Sequence, residues 1–138
     1  MRVHLSAALR NGQSQGAVYV ITRQDGLWTE ADKLFDPEGQ PADHFGNAVA
    51  LQGDTALVGA SSASIEGDPD RGAVYVYRRI GSARILEQKL LASDGQNPNQ
   101  FGYSVALDRD AALIGAWQSP SKATLPKARR TSSGATKA

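Results

Sequence analysis

Apolar residues fall in short blocks along this chain, and Gly, Pro, Asn and Asp clusters separate the blocks. Blocks of this length, rich in Val, Ile, Tyr and Phe, predict β-strands over Gly16–Thr22, Leu27–Leu34, Phe45–Leu51 and Thr55–Ala60. A second set is predicted at Gly72–Arg79, Ile85–Leu91, Phe101–Leu107 and Ala111–Ala116. No window shows a convincing 3.6-residue apolar stripe. Pro37 and Gly39 also oppose helix extension beyond Lys33-Leu34-Phe35. Val18-Tyr19-Val20-Ile21 and Ala56-Leu57-Val58 do not alternate with polar residues. A strand that is apolar on both faces has to be covered on both faces.

The two sets are copies of each other. Gly16-Ala17-Val18-Tyr19-Val20 returns as Gly72-Ala73-Val74-Tyr75-Val76, an offset of 56 residues. Phe45-Gly46-x-x-Val49-Ala50-Leu51 returns as Phe101-Gly102-x-x-Val105-Ala106-Leu107 at the same offset. Asp54-x-Ala56-Leu57-x-Gly59-Ala60 returns as Asp110-x-Ala112-Leu113-x-Gly115-Ala116. Laid without a gap, residues 16–60 and 72–116 agree at 20 of 45 positions. Four strands per period, covered on both faces by neighbouring units, describe blades of a β-propeller better than coils of a solenoid.

These residues resemble the FG-GAP repeat, which builds the seven-bladed propeller of integrin α chains and of many bacterial surface and secreted proteins. The FG pair stands at Phe45-Gly46 and Phe101-Gly102, and the GA of GAP at Gly59-Ala60 and Gly115-Ala116. The third GAP residue is Ser61 in one copy and Trp117 in the other. The resemblance covers about residues 16–117 and implies an all-β fold, a partial propeller of two four-stranded blades; the C-terminal tail, rich in Ser, Thr, Ala, Pro and Lys, is expected to be disordered because it has too little apolar surface to bury. The expected divisions are 1–15 as a remnant of a preceding repeat, 16–71 and 72–117 as the two repeats, and 118–138 as the basic tail. All eight motif residues have structural roles. The phenylalanines anchor the gap between blades, the FG glycines allow unusual backbone angles, and Gly-Ala is small where strands crowd.

Calcium-binding members of the family carry a D-x-D-x-D-G loop between FG and GAP. A hard cation needs six to eight converging oxygens. Here the position holds Leu51-Gln52-Gly53-Asp54-Thr55 and Leu107-Asp108-Arg109-Asp110-Ala111, so neither loop is expected to hold a metal. Glu66-Gly67-Asp68-Pro69-Asp70 concentrates carboxylates, but Pro69 stiffens it and the preceding copy of the loop has no acid. It reads as a solvated loop. No cofactor is expected.

Catalytic patterns are lacking. No G-x-S-x-G elbow, P-loop or H-E-x-x-H occurs. His44 is expected at the surface, since its copy is Gln100, and Asp36-Pro37-Glu38-Gly39 reads as a turn. Trp28, whose copy is Arg84, is expected in the core between blades, with an exposed binding aromatic as the alternative.

Composition adds two points. The chain has no cysteine and no apolar run long enough to span a membrane as a helix. Its charge is divided: Lys122, Lys127, Arg129, Arg130 and Lys137 follow Gln118 without an acid, so the rest of the chain is mildly acidic although the total is +1. The tail has no aromatic platform for bases, and no nucleic-acid partner is expected.

Closed propellers need about four to eight blades. Two repeats therefore imply either a fragment of a longer propeller, the preferred expectation, or a homo-oligomer whose copies close one ring. The resemblance implies a non-catalytic module for protein or cell-surface recognition and adhesion. Loops 35–43 and 61–71 would serve as the contact surface, in an extracellular or cell-surface setting. The alternative is an ancillary segment of a secreted enzyme whose active site lies outside this chain.

Overall fold

The computed structural model describes residues 2–6, 9–10, 13–14, 16–40, 42–94 and 98–118. The tail expected over 118–138 lies outside them beyond Gln118. Every described element is a β-strand. β1 (Arg2–Ser6), β2 (Leu9–Arg10) and β3 (Gln13–Ser14) precede β4 (Ala17–Gln24) and β5 (Leu27–Leu34). β6 (Phe45–Gln52), β7 (Thr55–Ala60), β8 (Ala73–Ile80) and β9 (Ala83–Leu90) follow, and then β10 (Phe101–Asp108) and β11 (Ala111–Ala116).

The strands expected from the sequence are all present, but hydrogen bonding groups them differently from the repeat. One complete four-stranded sheet runs β6-β7-β8-β9. It takes two strands from each repeat and so straddles residues 71 and 72. Before it stands a three-stranded sheet β1-β4-β5, and after it a two-stranded sheet β10-β11. The reason is the connection 35–44. It carries the chain from the outer strand of one sheet to Phe45, which opens the next sheet rather than closing the last. The fold is that of a partial β-propeller in which, among the described residues, one four-stranded blade lies between a three-stranded and a two-stranded sheet.

The stacking explains why the strands are apolar on both faces. Ala56, Val58 and Ala60 of β7 join Phe45, Tyr75 and Tyr77 in one buried cluster with Val18, Val20 and Leu34 of the preceding sheet. Phe45 meets Tyr75 edge-on at 5.2 Å and Tyr77 at 6.5 Å. Alternation sends Leu57, Gly59 and Val74 to the opposite face, where β10 covers them. Leu57, Val58 and Val74 are all but fully buried.

The FG pair shapes the first strand of each sheet. Phe45 pairs with Ala60, but the next pair is Ala48 with Gly59, so Gly46 and Asn47 bulge out of the ladder. The copy has the same irregularity between Phe101 and Ser104. A bulge of this kind needs left-handed backbone, and Gly46 and Gly102 take φ of 94° and 93°.

β1 pairs with β4 as β7 pairs with β8, but it is offset. Val3 lies opposite Val20, the place that Leu57 takes opposite Val76. The link from Ser6 to Ala17 is therefore two residues shorter than the link from Ala60 to Ala73. This register places Arg2 and His4 at positions that Ala56 and Val58 hold in the complete blade.

Candidate functional site

Strand direction sorts the connections into two kinds. At one end the hairpins turn in two residues, at Asp25-Gly26, Gly53-Asp54, Gly81-Ser82 and Arg109-Asp110. At the other end lie the long connections 35–44 and 61–72, as does the segment leading into Phe101. The two loops expected to carry recognition thus emerge side by side.

They are built into the blade. Asp36 begins a tight turn, with Gly39 N–H donating to its carbonyl at 3.0 Å. Its carboxylate accepts the Glu38 N–H at 2.9 Å and the Tyr75 hydroxyl at 2.6 Å. Tyr75 rises from the blade core, so this bond ties the loop to the sheet. Burial, and the Asp36 carboxylate beside it, hold the Tyr75 hydroxyl firmly in its protonated, donating form. Burial alone does most of the same for Tyr77. Asp43 is buried and accepts the Gln40 N–H at 2.9 Å. Burial pushes its carboxyl above the usual range, the Gln40 hydrogen bond opposes that, and nearby Asp36 adds to it.

The second loop leans on the first. Ser62 N–H donates to the Asp43 carbonyl at 3.2 Å, and the Ser62 hydroxyl lies 3.0 Å from His44 Nδ1. His44 is exposed, as the sequence implied. Ile65 and Asp68 exchange two backbone hydrogen bonds of 2.9 Å, closing a small turn over Glu66-Gly67. That turn leaves Glu66 and Asp68 in solvent, and among the described residues no three carboxylates or histidines gather as metal ligands do. Loops 35–43 and 61–71 contain six carboxylate residues and one Arg, so this end of the molecule is acidic.

The motif residues form a seam between sheets. A Cβ on Gly59 would collide with the Gly102 carbonyl oxygen, and a Cβ on Gly72 would collide with the Phe101 backbone. Phe45, Gly46, Gly59 and Ala60 are buried, whereas Phe101, Gly115 and Ala116 of the second copy are only half-buried. Asn47, which sequence reasoning passed over, fastens the seam. Its amide nitrogen donates to the carbonyls of Gly102 and Tyr103, each at 3.1 Å, and its amide oxygen accepts the Ser61 N–H at 2.8 Å. Comparison of the repeats hid it, because Tyr103 stands at the copied position.

Trp28 corrects the expectation of a core aromatic. It is 45% exposed, with the Arg23 guanidinium 5.8 Å from its ring centre. The pairing of Trp28 with Arg23 places both near the β4–β5 turn, outside the packed part of the sheet. A groove of about 270 Å³ lies at this end between the β4–β5 and β8–β9 hairpins, lined in part by Asp32, Arg79 and Arg84. Its charges hold one another. Arg79 pairs with Asp54 at 2.7 Å, Asp32 accepts the Arg84 N–H at 3.1 Å, and Arg84 Nη1 reaches the Asp54 carbonyl at 3.3 Å. Burial, with the neighbouring Arg79 charge, lowers the Arg84 pKa. Asp54, the acid of the first short FG-to-GAP turn, is thus engaged in joining strands.

The FG-GAP repeat family model matches residues 28–77 and again 85–134. Together with the bulge, the seam and the stacked sheets, this establishes the chain as a member of the FG-GAP repeat family. No helix in the described residues is long and apolar enough to cross a membrane.

Proposed function

We propose that the chain is a non-catalytic propeller module that recognises a protein or cell-surface ligand through loops 35–43 and 61–71, in an extracellular or cell-surface setting. The observation that carries this reading is the joining of those loops at one end of a rigid stack. Tyr75 fixes one loop to the blade, and the Asp43–Ser62 contact fixes the second to the first. Recognition on loops held by a rigid scaffold is the common arrangement. The excess of carboxylates favours a ligand with basic groups and a salt-sensitive association rate.

The test uses the full chain, labelled, against an array of collagen, fibronectin, laminin and intact cells. Saturable binding to an array member, weakened at least tenfold by Glu66→Lys with Asp68→Lys, is the expected result. Both residues are exposed, so the variant keeps its β circular-dichroism spectrum. No binding across the array, or binding that the double variant leaves intact, overturns the reading.

A further inference from the structure

We propose that the groove between the β4–β5 and β8–β9 hairpins binds a small hydroxylated monocarboxylate of the sugar-acid class, with its carboxylate seated on Arg79 and Arg84. The groove lies at the end opposite loops 35–43 and 61–71, so the proposal does not rest on recognition by those loops. Its volume of about 270 Å³ stands at the lower edge of the ~300–1,000 Å³ range of small-molecule sites. The two walls differ in chemistry. Thr22, Gln24 and Asp32 come from β4 and β5, whereas Arg79, Ser82 and Arg84 come from the β8–β9 hairpin. Two guanidiniums, an amide and two hydroxyls thus line the space with one carboxylate. That set matches an anion of single charge that also carries hydroxyls. A phosphate dianion would need more positive charge than two guanidiniums beside Asp32 supply.

The charged groups are held in place. Arg84 is 9% exposed, its backbone N–H donates to Asp32 at 3.1 Å, and its Nη1 reaches the Asp54 carbonyl at 3.3 Å. Arg79 donates through Nε and Nη2 to one Asp54 carboxylate oxygen, at 3.0 and 2.7 Å. A guanidinium has five N–H groups, so this contact positions Arg79 and leaves it donors for a ligand. Asp32 is placed by a bulge. It lies opposite Val20, while Glu30 lies opposite Ile21, so Ala31 is the extra residue. Bulges re-aim side chains in this way, and Asp32 is fixed further by the Lys33 N–H at 2.8 Å. Nor does the lining follow from the repeat. Thr22, Gln24, Asp32, Ser82 and Arg84 have Arg78, Ile80, Gln88, Gly26 and Trp28 as their copies. Residues that build each blade recur, and those that converge here do not. Burial and the Arg79 charge lower the Arg84 pKa against the pull of Asp32 and Asp54, so a carboxylate entering the groove stabilises the charged form.

The test follows amide NMR signals of the isotope-labelled full chain during titration with sodium glucuronate at constant ionic strength. Saturable shifts at Gln24, Ser82 and Arg84 are expected. Glucose lacks the charge and acetate lacks the hydroxyls, so each should bind at least about tenfold more weakly. Arg79→Gln should weaken glucuronate binding about tenfold or more, and Gln24→Ala about two- to tenfold. Both residues are exposed, and an exposed ion pair such as Arg79–Asp54 adds little to stability, so both variants keep a dispersed spectrum. Glu66→Lys with Asp68→Lys should leave glucuronate binding unchanged, which separates this site from the loops. The absence of saturable shifts overturns the proposal. So does glucose, acetate or phosphate binding as tightly as glucuronate, or an Arg79→Gln variant that binds as the parent chain does. A spectrum without dispersion overturns it as well, because the groove then does not form.

Discussion

Residues 45–60 and 101–116 are near copies in sequence, and both form a bulged hairpin with the same pairing. Their surroundings differ. The first hairpin has a sheet on each side. The second has one only on its inner side among the described residues. Phe45 is buried and Phe101 half-buried, and Leu57 is 2% exposed against 76% for Leu113. Local sequence therefore sets the hairpin and its register. The neighbouring sheet sets how much the hairpin contributes to stability. Burying one leucine side chain is worth about 1.5–3 kcal/mol, so the same residue is a core anchor in one copy and nearly neutral in the other.

The largest test of this difference is the leucine pair. Leu57→Ala should cost about 2–5 kcal/mol in denaturant unfolding, from lost burial and the cavity left behind. Leu113→Ala, at an exposed position, should stay within about 0.5 kcal/mol. Equal costs would break the comparison.

Glycine substitutions come next. A Cβ at Gly59 meets the fixed carbonyl of Gly102, whereas one at Gly115 meets the movable Ser104 hydroxyl. Gly59→Ala should cost about 1–3 kcal/mol, as overpacking does. Gly115→Ala should cost less, because a side chain yields more readily than a backbone. Matching melting-temperature losses would show that the seam does not require the glycine.

Asn47 tests the clasp. Asn47→Ala removes two donated bonds and one accepted bond across the seam, and should cost about 1–3 kcal/mol. Tyr103→Ala, at the copied and exposed place, should change stability by less than about 1 kcal/mol. Hydrogen exchange is the sharper readout, because only Asn47→Ala should expose the Ser61 amide.

The smallest effect concerns Asp43, whose copy is Asn99. The folded protein raises the Asp43 pKa, so in the window just above 3.8 the folded state holds more protons than the unfolded one. Its contribution therefore weakens as pH rises through that window. Asp43→Asn should stabilise slightly near pH 7, by less than about 1 kcal/mol, with the gain vanishing as pH falls below 4. A gain independent of pH would place its cause elsewhere than in the carboxylate.

The strands are legible in the sequence, but much less of the end that carries loops 35–43 and 61–71 is. Asp36 was legible as a turn residue, but its bond to Tyr75 joins positions 39 apart. Nothing in local pattern marks such a pair. Asn47 was missed because its role depends on which strand lies next to it, and the copied residue faces a different neighbour. Trp28 was misplaced because apolarity suggests burial, whereas its depth in the sheet follows from its distance to the turn.

By itself, the sequence determined the strands, their turns, the repeat and the backbone freedom at each FG glycine. These depend on side-chain type and backbone freedom within a few residues. Only the tertiary structure decided where one sheet ends and the next begins, which copy of a residue is buried, and that the two loops share one acidic end. Those outcomes depend on stacking between segments far apart in the chain. Identical local sequences have the same preferences, but they bury different areas when their neighbours differ.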